Sequence, residues 1–186
     1  MRTRAEVREI LLSEDSPDLR IRTFAALLSE ESGLGTKGLT VGGGSAIEIY
    51  TRGAYLSEDV DILVDNKSRA SKVLKSWGFK DEGELWTDPE LRLYIDLMEH
   101  ENTGSRRLTR VVQSEFGSVR LAAIEDLIVK RLLEARYWSQ RPALGHAILL
   151  AKQYGRDLDW DYVRFFGKKD KIEDLVAEVR KRAGLD

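Results

Sequence analysis

The stretch VGGGSAI at residues 41–47, followed by EDVDILV at residues 58–64, is the most informative part of this chain. Three consecutive glycines let the backbone adopt conformations that other residues avoid and lie directly against a ligand. If a helix begins after them, its first N–H groups and the positive end of its dipole point at whatever the turn holds. The turn therefore predicts a site for an anion such as phosphate.

Two common glycine-rich motifs do not fit this turn. A Walker A loop is excluded because no Gly-Lys-Ser/Thr follows the glycines. The dinucleotide-binding pattern Gly-x-Gly-x-x-Gly fails because Ile47 stands at its last position. A tight turn between a strand and a helix is the alternative interpretation, and the 14 residues from Ser45 to Asp59 leave room for one helix and a return.

The second stretch places two carboxylates one residue apart at the start of an apolar strand. Because side chains alternate along a strand, Asp59 and Asp61 share one face, with backbones roughly 6–7 Å apart. Asp96 lies in a further apolar stretch, residues 91–98, and could join them from a neighbouring strand. Converging carboxylates repel each other unless a cation neutralises them, and oxygen-only ligands suit Mg²⁺ or Mn²⁺. We therefore predict that Asp59, Asp61 and Asp96 form a metal site.

Acids at strand ends are also common without any metal. A second Asp-x-Asp series, DLDWD at residues 157–161, shows that the spacing alone is not specific. It is not an EF-hand loop, because Tyr162 replaces the glycine at position six and Lys168 the glutamate at position twelve. We interpret these acids as caps and first-turn residues of a helix that begins near Trp160.

Composition describes an ordinary globular protein. The 186 residues include 30 Lys+Arg, 32 Asp+Glu and no cysteine, so the net charge is −2. No overall basic field indicates nucleic-acid binding, and disulfides, thiolate metal sites and cysteine nucleophiles are excluded. The N-terminal residues are charged and no run reaches membrane-spanning length, so we expect a cytoplasmic protein with no membrane partner.

Hydrophobic periodicity predicts the α+β class. A small mixed β-sheet flanked by helices is expected in residues 1–121, and a helical C-terminal part in residues 122–186 that packs on it as one compact unit. Strands are predicted near residues 39–41, 61–64, 85–86, 91–98, 108–113 and 118–121. The aromatic residues Tyr137, Trp138, Trp160, Phe165 and Phe166 are predicted to lie in the core of the helical part. His100 is expected to be solvated in a loop.

The order of these motifs resembles the nucleotidyltransferase superfamily that shares its fold with DNA polymerase beta. Its signature is an apolar strand, Gly-Gly or Gly-Ser, a helix, Asp-x-Asp on the next strand and a third acid on a later strand. Gly43-Gly44-Ser45, Asp59-x-Asp61 and Asp96 match in order and context, and the resemblance covers roughly residues 38–155. The chain is most similar to small bacterial members that include nucleotidyltransferase toxins of abortive-infection and toxin–antitoxin systems.

The resemblance implies a nucleotidyltransferase fold and an Mg²⁺-dependent (or Mn²⁺-dependent) enzyme that moves a nucleoside monophosphate from an NTP to a hydroxyl acceptor. Asp59, Asp61 and Asp96 would be its catalytic residues and metal ligands. Gly43, Gly44 and Ser45 would bind the nucleotide. The acceptor stays open between an RNA 3′ end, a protein and a small molecule, and an antitoxin is a further expected partner.

Two features keep alternatives open. Residues 126–130, DLIVK, resemble a helix pattern of the bacterial members, in which Lys130 would bind the triphosphate. An i,i+4 ion pair between Asp126 and Lys130 is the other interpretation. Many relatives also carry an acidic pair at the start of the next helix, where this chain has RPALGH at residues 141–146. The alternative function is therefore a catalytically silent nucleotide-binding or partner-binding member of the same fold.

Overall fold

The computed structural model describes residues 1–100 and 109–185, and only the backbone at Arg141. Contacts between Cα atoms divide the chain into two compact units, Met1–Ala122 and Ala123–Asp186. The first unit is a mixed β-sheet with helices and the second is helical, which confirms the predicted α+β class. No helix within the described residues is both long and apolar enough to cross a membrane.

The first unit contains helices before and between its strands. The helices are α1 (Arg4–Leu12), α2 (Pro17–Glu31), α3 (Gly35–Gly38), α4 (Gly43–Thr51) and α5 (Lys67–Ser76). The strands are β1 (Leu39–Val41), β2 (Val60–Val64), β3 (Lys80–Asp81), β4 (Leu85–Asp88), β5 (Leu93–Glu99), β6 (Arg110–Ser114) and β7 (Gly117–Leu121). The two predicted strands at the end of this unit form the β6–β7 pair, although Leu108, where the first was expected to begin, lies outside the described residues.

The strands form one mixed sheet in the order β3-β4-β5-β2-β1-β7-β6. In its centre β2 pairs in parallel with β5 and antiparallel with β1, and β1 pairs in parallel with β7. The parallel register places Asp61 opposite Asp96. Two of the three predicted metal ligands are therefore cross-strand neighbours.

One face of the sheet forms the core of the first unit. Val60, Ile62 and Val64 of β2 are buried on this face. On the other face Asp61 is only partly buried, whereas Leu63 is buried beside Gly42 of the glycine turn. Helix α2 contacts α4, α5 and β7, and its Phe24 ring meets Trp77 edge-on at 6.1 Å between centroids. The sheet face that carries the acids is thus backed by a well-packed apolar layer on the other side.

The second unit consists of α6 (Ile124–Tyr137), α7 (Arg141–Tyr154), a short 3₁₀ helix (Gly155–Asp157), α8 (Trp160–Lys169) and α9 (Glu173–Ala183). Helix α6 contacts α7 and α8, and α9 contacts α7 and α8. The prediction that its aromatic residues form the core is wrong for three of them: Tyr137, Trp138 and Phe165 are 56%, 64% and 65% exposed. A 3.6-residue period places every third or fourth side chain inward, and Tyr137 and Phe165 fall on the outer sides of their helices. Trp138 lies just beyond the end of α6.

Candidate active site

The glycine turn brings helix α4 directly against the strand that carries the acids. Gly42 donates its N–H to the carbonyl of Asp61 at 2.9 Å, and α4 begins at Gly43, whose φ is +45°. A Cβ atom built on Gly43 would overlap the carboxylate of Asp61. Glycine is therefore required here for two reasons, the left-handed backbone and the close approach of the carboxylate.

Ser45 is a buried residue of α4 that binds the backbone of the strand carrying the acids. Its side chain is fully buried, with 0% exposure. Its hydroxyl donates to the carbonyl of Asp59 at 3.0 Å and accepts the N–H of Asp61 at 2.9 Å. The hydroxyl also lies 3.4 Å from the Asp61 carboxylate. The residue predicted to bind the nucleotide therefore holds the backbone of the two acids, and its hydroxyl is already engaged there.

The three acids are close neighbours on one side of the sheet. Asp59 directly precedes β2, Asp61 lies in β2, and Asp96 lies opposite Asp61 in β5. Burial raises the pKa of the Asp59 carboxyl, and the negative charges of Asp61 and then Asp96 raise it further. The side chains are thus near enough for their charges to matter to one another, and each is partly exposed.

The carboxylates do not already surround one point. Among residues 1–100 and 109–185, no three His, Asp or Glu side chains are arranged so that they could hold a metal ion as they stand. The donor set nevertheless suits a hard divalent cation, since it consists of carboxylate oxygens whose mutual repulsion such an ion would relieve.

A cavity of about 620 Å³ opens beside two of the acids. Asp59 and Asp96 line it, with Leu85 of β4 and Met98 of β5. Lys67, Gly83, Glu84, Leu97 and Glu99 complete its lining. Its volume lies within the range of small-molecule sites, and its mixed lining offers apolar contact as well as charge. The sequence did not indicate this cavity, because Asp59 at the start of β2 comes beside β5 only through the tertiary pairing of these two strands.

Sequence reasoning also missed the role of the segment before Asp59. Ser57 donates its N–H to the carboxylate of Glu48 at 2.6 Å, so this segment is tied to α4. A Cβ atom built on Gly44 would overlap Ser57 Oγ and lie 3.1 Å from Tyr55 Oη. Two hydroxyl groups thus lie at the glycine turn, although no motif in the sequence marks them.

His100 is not simply solvated, contrary to the expectation from sequence. One ring nitrogen contacts the carboxylate of Asp65, and the other lies 3.2 Å from Thr40 Oγ1. Asp65 follows β2 and His100 follows β5, at the ends of these strands away from Asp59. The pair is therefore a separate polar cluster that links three neighbouring strands.

Lys130 lies in the second unit, on α6, and is exposed. The Asp126 carboxylate accepts a hydrogen bond from the hydroxyl of Tyr162 on α8. This bond ties α6 to α8 within the unit. The role of Lys130 in nucleotide binding stays a prediction from the resemblance.

Comparison with known proteins adds no relative to this picture. No protein-family model, curated protein or solved structure matches the chain significantly.

Proposed function

We propose that the first unit is a nucleotidyltransferase that moves a nucleoside monophosphate from an NTP to a hydroxyl acceptor, with Mg²⁺ or Mn²⁺ as cofactor. One observation carries the proposal: Asp61 lies against the glycine turn at the start of α4 and opposite Asp96 on the neighbouring strand. The glycine turn is suited to phosphate, and the carboxylate pair is suited to a divalent cation. Asp61 belongs to the pair and also lies against the turn. Nucleotidyl transfer needs these two sites side by side.

The turn provides the anion site. The first N–H groups of α4 have no acceptor within the helix, and the helix dipole favours negative charge at this end. We assign the β- and γ-phosphates to the amides of Gly43 and Gly44. Ser45 holds Asp59 and Asp61 in place through the backbone hydrogen bonds described above.

The acids provide the cation site and the base. Asp59, Asp61 and Asp96 would hold the divalent cation, which stabilises negative charge on the phosphoryl oxygens when it is bound. The acceptor oxygen attacks the α-phosphorus, and the bond from the α-phosphorus to the bridging oxygen of the β-phosphate breaks. Pyrophosphate leaves with that electron pair, and the Asp96 carboxylate takes the acceptor's proton.

The cavity beside Asp59 and Asp96 is the place that we assign to the acceptor. Its apolar and charged lining residues are compatible with an RNA terminus, a protein side chain or a small hydroxyl compound. An antitoxin partner and a cytoplasmic location stay predictions that rest on the sequence.

A catalytically silent nucleotide-binding protein is the second candidate. It is favoured by the absence of a ready-made three-ligand metal site in the described part of the chain. Such a protein would bind NTP without turning it over.

The test is transfer of label from each α-labelled NTP, with Mg²⁺, into cellular RNA, protein and small molecules. The proposal predicts that label enters one acceptor class and that EDTA abolishes this transfer. Asp61→Asn should reduce the transfer at least about a hundredfold. Asp161→Asn is the matched control, because Asp161 is exposed on α8 in the second unit, and it should keep full activity. Unchanged transfer by Asp61→Asn would refute the proposal, and NTP binding without transfer by the unmutated protein would favour the silent alternative.

A further inference from the structure

The segment between α4 and Asp59 is held by two buried side chains of that helix. Glu48 is 1% exposed and accepts the N–H of Ser57 at 2.6 Å through Oε2. Thr51 is also buried, and its hydroxyl accepts the N–H of Tyr55 at 3.2 Å. Because both anchors lie on α4, the segment keeps a fixed position relative to the glycine turn at the start of the same helix.

This anchoring places the Ser57 hydroxyl at the start of α4. A Cβ atom on Gly44 would overlap Ser57 Oγ, so the glycine leaves the room that this hydroxyl needs. Ser57 is partly exposed, and among the described residues its hydroxyl has no hydrogen-bond partner. A hydroxyl with a spare donor beside the first amides of a helix is well placed for an anion bound there.

Ser45 differs from Ser57 in each of these respects. It is fully buried, and its hydroxyl is engaged by the backbone of Asp59 and Asp61. A phosphate oxygen could reach it only if those bonds broke, and a buried polar group left unpaired in this way is costly.

We propose that Ser57, and not Ser45, is the hydroxyl that binds the triphosphate of the nucleotide, and that Glu48 is the residue that positions it. The inference rests on the proposed function, because it concerns the phosphate site of that reaction. Ser57 donates its hydroxyl proton to a phosphate oxygen held at the amides of Gly43 and Gly44. Glu48 acts only through Ser57.

The environment of Glu48 is consistent with this role. Burial raises the pKa of the Glu48 carboxyl, the bond from the Ser57 N–H lowers it, and the charge of Asp18 raises it. A neutral carboxyl still accepts the Ser57 N–H through an oxygen. Gln offers the same acceptor at the same reach, so Glu48→Gln keeps the anchor that Glu48→Ala removes.

The experiment measures the Kd of an NTP and of the corresponding NMP, each with Mg²⁺, by calorimetry. Ser57→Ala should weaken NTP binding roughly ten- to a hundredfold, as for a hydrogen bond to a charged group, and leave NMP binding and the unfolding temperature unchanged. Ser45→Ala should instead lower the unfolding temperature. Equal NTP affinity in Ser57→Ala and the unmutated protein would overturn the inference, as would selective loss of NTP binding in a fully folded Ser45→Ala.

The positioning role of Glu48 is tested by a double-mutant cycle. Glu48→Ala should weaken NTP binding as Ser57→Ala does, the two effects should not add in the double variant, and Glu48→Gln should restore affinity. Additive effects would show that Glu48 does not act through Ser57. If the unmutated protein binds no NTP, the proposed function fails as a whole, whereas the outcomes above overturn only the assignment of Ser57 or Glu48.

Discussion

Two Asp-x-Asp pairs in this protein share a spacing but occupy different environments. Asp59 and Asp61 lie at the start of β2, where Asp61 meets the glycine turn on one side and Asp96 on the other. Asp159 caps α8 by accepting the N–H of Tyr162 at 2.9 Å. Asp161, with a side chain 91% exposed, pairs with Arg164 at 2.5 Å.

The difference lies in which charges surround each pair. The second pair meets a helix N-terminus and an arginine, both of which favour a carboxylate, so it needs no further partner. The first pair is partly buried beside a third carboxylate. Burial raises the pKa of Asp59, and the negative charges of Asp61 and Asp96 raise it further. An acid that the fold itself stabilises is structural, whereas a group of acids that the fold leaves in mutual repulsion is a candidate for binding a cation.

The largest effect is expected from the glycine on which Asp61 packs. Gly43→Ala forces a side chain into a left-handed conformation and onto the Asp61 carboxylate, so the free energy of unfolding should fall by about 2–5 kcal/mol. Gly33→Ala is the matched control, because Gly33 also has a positive φ but nothing within 4 Å of its Cβ position. Gly33→Ala should lower the free energy of unfolding by only about 1 kcal/mol, because only its left-handed backbone conformation is strained. The free energies of unfolding of both variants are measured by urea denaturation. Equal losses in Gly43→Ala and Gly33→Ala would show that overlap with the Asp61 carboxylate adds nothing to the cost at Gly43.

A smaller effect is expected at the structural pair. Asp159→Ala removes the side-chain cap of α8 and should lower the free energy of unfolding by about 1 kcal/mol. Asp159→Asn keeps an acceptor at the cap and should lose almost nothing. Urea denaturation at neutral pH measures both variants. A loss as large in Asp159→Asn as in Asp159→Ala would mean that charge, and not capping, accounts for the contribution of Asp159.

The smallest effect, opposite in sign, is expected at Asp59. Its pKa in the folded state lies above the ordinary value of 3.8, so its protonated form favours folding. The stabilisation of the folded state by protonated Asp59 is present at pH values below the ordinary pKa. It is lost as the pH rises through the pKa of Asp59 in the folded state. At neutral pH without divalent cations, Asp59→Asn should therefore be slightly more stable than the unmutated protein, and the advantage should vanish in acid.

The Asp59 prediction is checked by unfolding temperatures across a pH series. Glu48, whose pKa is also raised, is present in both proteins and cancels from the difference. Added Mg²⁺ should stabilise the unmutated protein more than Asp59→Asn. A destabilising Asp59→Asn at neutral pH in EDTA would mean that Asp59 is a structural acid like Asp159.

Local patterns predicted most of the secondary structure and part of the site. Side-chain alternation placed Asp61 on the face of β2 opposite Val60 and Ile62, and the glycines were correctly placed before a helix. The burial of Ser45 could not be predicted, because nothing in GGGS reveals which direction the hydroxyl faces once α4 packs on β2, and its role in nucleotide binding stays a prediction. Ser57 carries no motif at all, since its position depends on Glu48, nine residues earlier in the chain.

The sequence by itself determined the α+β class, the turn before α4 and the presence of acids in two apolar strands, because glycine runs and side-chain alternation act over a few residues. Only the tertiary structure decided that β2 lies beside β5 with Asp61 opposite Asp96. It also decided that Ser45 is buried while Ser57 reaches Gly44. Strand order and the direction of a side chain depend on packing between segments far apart in the chain, and no local pattern encodes that packing.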